Sequence, residues 1–71
     1  MLTNEEKIGV VKQHMRNLVY NKYNLELSLL EESAVPKPKE DNIRTINNDL
    51  SSINLKIAAL EKEISTLESG E

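Results

Sequence analysis

From residue 43 to residue 67 the chain repeats one pattern without a break. Ile43, Ile46, Leu50, Ile53, Ile57, Leu60, Ile64 and Leu67 stand at spacings that alternate three and four, which keeps all of them on one narrow stripe of an α-helix. A half-buried strand would repeat every second residue, and a helix inside a globular core would need a wider apolar face. The spacing therefore predicts a helix that packs against a neighbour in coiled-coil fashion. Asp49, Asn54, Lys56, Glu61 and Glu63 fall at the positions flanking the stripe, where they stay in water and steer pairing.

The first half of the chain carries the same code. Ile8, Val11, Met15, Leu18, Lys22, Leu25 and Leu29 are again spaced four and three, and only Lys22 interrupts the apolar run. A lysine at such a site either reaches along its stem to water or fixes register at a cost in stability. "TNEE" at residues 3 to 6 has the form of a capping box, with Thr3 and Glu6 each satisfying a backbone N–H of the other. A helix is expected to start at Asn4. Gly9 weakens its first turns by about 1 kcal/mol relative to alanine.

Between the two patterns lies "ESAVPKPKED", residues 32 to 41. Pro36 disfavours helical geometry at Val35, and Pro38 does the same at Lys37. The first helix is expected to end near Ser33, a turn to cover residues 34 to 37, and the second helix to run from 38 to 68. Pro38 suits the first helical position, Glu40 and Asp41 complement the positive end of the helix dipole, and Gly70 provides the stop. "NNDLSS" at 47 to 52 is the poorest helix-forming stretch of this helix and a place for it to fray or bend.

The position of the prolines matches the position of the seams. In an antiparallel pair the layers would be Ile8 with Leu67, Val11 with Ile64, Met15 with Leu60, Leu18 with Ile57, Leu25 with Leu50 and Leu29 with Ile46. Every pair is symmetric about the Lys37–Pro38 bond. A short turn there closes an αα-hairpin in register. The fold class read from the sequence is thus all-α: an antiparallel two-helix coiled-coil hairpin in a single domain.

Helix 1 also carries large side chains off its seam: Val19, Tyr20, Tyr23, Leu27 and Leu30. Tyr20, Tyr23, Leu27 and Leu30 share a face that one narrow partner helix does not cover. Four such residues at helical spacing make a patch rather than a scatter. A chain of 71 residues buries too small a fraction of its surface to be comfortably stable alone. Two hairpins associating into a four-helix bundle would cover the patch and supply the missing burial.

Composition removes several classes of function. The chain has no cysteine and a single histidine, His14, so no disulfide, thiol nucleophile or zinc site is available, and neither a metal nor a cofactor is expected. Pairs such as Glu5 and Glu6, Glu31 and Glu32, or Glu61 and Glu63 sit at helix ends or on solvated faces. A two-helix rod gives them no dry cleft in which to become catalytic. The net charge of −3 and the scattered bases argue against nucleic-acid binding. No apolar run reaches the ~20 residues of a membrane span, nor does the start read as a signal peptide, so the expected location is cytoplasmic.

The stretch "YNKYNLELSLLEE" at residues 20 to 32, followed by the proline-bearing break and the Ile/Leu heptad helix, resembles small uncharacterised helical proteins of marine cyanobacterial phages. The resemblance implies a viral gene product in a host cytoplasm and brings no activity or functional residues with it. The expected function is non-catalytic: protein–protein contact in homo-oligomeric assembly, as a dimer of hairpins, or as a small structural component. The alternative is a regulatory inhibitor or adaptor that binds a host protein through the outer face of helix 1. A more distant reading is an acidic mimic of nucleic acid. The three differ in what occupies that outer face.

Overall fold

A computed structural model describes residues 1–70. It consists of two helices, α1 (Asn4–Ala34, 31 residues) and α2 (Glu40–Glu68, 29 residues), joined by a five-residue turn and packed against each other along their lengths. The molecule is a rod of 53 × 15 × 14 Å. It is an all-α helical hairpin.

Residue by residue, burial follows the three–four spacing. On α1, Ile8, Val11, Met15, Leu18, Lys22, Leu25 and Leu29 are half-buried. On α2, Ile43, Ile46, Leu50, Ile53, Ile57, Leu60 and Ile64 are half-buried as well. Leu67, 8 % exposed, is the one buried residue among those described, and no polar or charged side chain is buried. The core is a single zipper one side chain deep, since two helices can shield the stripe between them only from two sides.

Three local devices set the ends of the helices. At the start of α1, the Thr3 hydroxyl accepts the Glu6 N–H at 3.1 Å and the Glu6 carboxylate accepts the Thr3 N–H at 3.0 Å, so the capping box is formed. At the end of α2, Ser69 N–H donates to the Ser65 carbonyl at 3.1 Å and Gly70 N–H to the Leu67 carbonyl at 3.2 Å. Gly70 takes a φ of 81°, a left-handed conformation that costs glycine nothing for want of a Cβ. The Leu67 carbonyl also accepts the side-chain amide of Asn4 at 3.3 Å, which ties the first turn of α1 to the last turn of α2.

The turn differs from the sequence expectation in a way that has a physical cause. α2 begins at Glu40, two residues after Pro38, and the turn spans residues 35–39. Lys39 is the N-cap, extended at φ −84° and ψ 114°, and its backbone N–H donates to the Glu32 carboxylate at 2.9 Å. That hydrogen bond holds Lys39 extended and moves the first helical position to Glu40. Glu32, grouped above with solvated carboxylates, is instead half-buried. Counting on from Leu29 shows why: three residues further along, the seam lands on Glu32, opposite Ile43. The last seam position of α1 is spent on a polar latch for the turn. Asn47–Ser52, where fraying or a bend had been conceivable from composition, is helical throughout, because Leu50 in its middle packs into the seam.

Candidate protein interface

The residues off the seam lie where helical rotation puts them. Tyr20 and Leu27 come two residues after the seam positions Leu18 and Leu25, about 200° round the helix, and Tyr23 and Leu30 one residue after Lys22 and Leu29, about 100° round. All four therefore sit on the side of α1 turned away from α2, with Val19 at their edge. Their exposure agrees: Tyr20 is 70 %, Leu30 66 % and Leu27 38 % exposed, with Val19 and Tyr23 between these values. Leu27 is the least exposed of the five.

The structure brings these five residues together on the turn-proximal half of α1. Five further exposed apolar side chains, Met1, Leu2, Val10, Val35 and Leu55, were not picked out from the sequence. Leu2 and Val10 line a shallow open groove at the far end of the hairpin with Lys7, Val11, Glu63 and Leu67. Leu55 stands alone on the outer side of α2, two residues past Ile53, among Ser51, Ser52, Ala58 and Ala59. The spacing of Leu55 from the seam was a usable signal for its exposure, but small neighbours make no patch around it.

Charged groups contribute little to holding the hairpin. Among the described residues the one ion pair is Arg44 with Asp41, 3.4 Å apart within a single turn of α2 and largely in water, a geometry that contributes a few tenths of a kcal/mol at most. No ion pair crosses from α1 to α2, so the flanking charges leave the zipper to its apolar side chains. Lys22 sits in the seam opposite Ile53, with no carboxylate among the described residues at ion-pair distance. His14 is exposed. A second open groove, near the turn, is lined by Leu25, Ser28, Glu31, Glu32, Asn42, Thr45 and Ile46. Among the described residues, no group of three or more histidine, aspartate or glutamate side chains could hold a metal ion, and no helix is long and apolar enough to cross a membrane.

Compared with known protein families, curated proteins and solved structures, the chain matches none.

Proposed function

We propose that this chain is a non-catalytic assembly module whose hairpins associate through the outer face of α1 into a dimer of four helices, working in a cytoplasm. The observation that carries this reading is the coexistence of two features on one molecule. Tyr20, Tyr23, Leu27 and Leu30 form a contiguous exposed apolar face, and the hairpin behind it contains one buried residue among those described. A fold with so thin a core gains most from covering such a face, and tyrosine suits the task because its ring adds apolar area while its hydroxyl tolerates a wet rim.

The experiment is sedimentation equilibrium of the native chain beside the Leu27→Ser/Leu30→Ser double variant. Neither leucine belongs to the α1–α2 seam, so helix formation by circular dichroism should persist at high concentration while the mass falls from dimer toward monomer. An unchanged mass in the double variant would remove the outer face from the assembly. A native chain that stays monomeric yet retains a host protein in a pull-down, and loses it in the same variant, would favour the adaptor reading instead.

A further inference from the structure

We infer that the assembly is a two-fold antiparallel pairing of α1 with α1 of a second copy, its axis passing beside Leu25. This rests on the self-association proposed above and adds its symmetry and register. The spacing of the patch is the first ground. Tyr20, Tyr23, Leu27 and Leu30 are separated by three, four and three residues, a sequence of intervals that reads the same in both directions. Two copies laid antiparallel can therefore match all four layers at once, and they do so in one register: Tyr20 against Leu30 of the second copy, Tyr23 against its Leu27, and the reciprocal pairs. Each layer then combines a ring with a branched aliphatic side chain, large beside smaller, as interdigitated cores require. A parallel pairing in register sets Tyr on Tyr and Leu on Leu.

Charge along α1 is the second ground. Lys7, Lys12 and Arg16 fall in its first half and Glu26, Glu31 and Glu32 in its second, with Glu5, Glu6 and Lys22 as the exceptions. In this register α1 overlaps α1 of the second copy over residues 16–34, with Lys7 and Lys12 projecting beyond it, and the charge match inside the overlap is Arg16, within a turn of Glu31 of the second copy. The helix dipoles of the two copies also oppose, whereas a parallel pair aligns both the charges and the dipoles. One contact in this register is unfavourable, Glu26 beside Glu26 of the second copy near the axis, opposite the side on which Asn24 meets Asn24.

The third ground is area, and it names a second copy rather than nothing as the occupant. The hairpin exposes 5719 Å², whereas a compact monomer of 8.1 kDa is expected to expose about 4,500 Å². The excess, about 1,200 Å², is of the order of the ~800 Å² that each partner contributes to a standard-sized interface. A second hairpin has that area to offer on the same footing, because a face that repeats under reversal complements itself.

Distances between spin labels in the assembled protein test the arrangement, and the absence of native cysteine makes single-site labelling clean. In Asn24→Cys the two labels should lie within about 2 nm, since the sites flank the axis on neighbouring helices with axes ~10 Å apart. In Gln13→Cys, on the same outer side of α1 but beyond the patch, they should lie about 4 nm apart, because twelve residues on either side of the axis at 1.5 Å each separate the sites by ~36 Å along the helix. Short distances at both sites would mean parallel copies, long distances at both would mean contact through another face, and either result overturns the inference while leaving self-association intact. Should a label at Asn24 dissociate the dimer, Glu26→Cys reports the other side of the axis, and Gln13→Cys alone still separates antiparallel from parallel. A native chain that sediments as a monomer would instead overturn the reading on which all of this rests.

Discussion

Glu6 shows how much of this fold is set by single side chains in local contact. Its carboxylate accepts the Thr3 N–H, and the Thr3 hydroxyl accepts the Glu6 N–H in return. The bond from the Thr3 backbone, followed by that from its side chain, lowers the Glu6 pKa below its ordinary value. A carboxylate depressed in the folded state contributes stability that is complete above its unfolded pKa and is lost as the pH falls through its folded pKa. The first turn of α1 should therefore loosen as the pH falls below the ordinary glutamate range, with the Glu6 side-chain resonance titrating below that range; a midpoint at or above it would mean that the box is not made in solution. Thr3→Ala should cost about 1 kcal/mol by chemical denaturation. Gly9 points the other way. A Cβ added there meets nothing within 4 Å, so Gly9→Ala should stabilise by about 0.5–1 kcal/mol, and a loss of stability would place a neighbour against that side of α1. Lys22→Leu, which completes the seam opposite Ile53, should add about 1 kcal/mol through half-burial of the new side chain.

At the scale of the elements, the two seams were legible in the spacing alone because a narrow stripe on a helix has one geometric reading. Lys22 stayed in the seam despite its charge, since backbone periodicity places a residue before its chemistry is consulted. The same rule would have found Glu32. Its polarity hid it among the solvated carboxylates, although the count from Leu29 pointed to a seam position. The start of α2 was illegible for a related reason. Pro38 is compatible with a first helical turn, but the Glu32 hydrogen bond to the Lys39 N–H decides between Pro38 and Glu40, and such a contact joins residues that sequence pattern does not pair. Removing the latch in Glu32→Ala should leave both helices formed while amide exchange at Lys39 rises severalfold. Unaltered protection of Lys39 would assign the turn geometry to the prolines alone.

The whole molecule is a zipper with one wet side too many. Its surface exceeds that of a compact monomer of its mass by about 1,200 Å², and the exposed large apolar side chains gather most densely around Leu27. That face was visible in the sequence as large residues at helical spacing off the seam. What covers it was not, because a sequence displays which side chains share a face and not what meets them. Coupling between assembly and folding turns that question into a thermal one. If a dimer stabilises the folded hairpin by covering this outer face, mass action ties its unfolding temperature to protein concentration. The measurement is the unfolding midpoint by circular dichroism across a thousandfold range of concentration. Each tenfold increase adds about 1.4 kcal/mol per dimer, which for two chains of this length should raise the midpoint by about 4–5 °C, a slope that Leu27→Ser/Leu30→Ser should abolish. A midpoint that stays constant across the whole range would contradict the coupling of fold and assembly and leave the hairpin as a unit that folds alone.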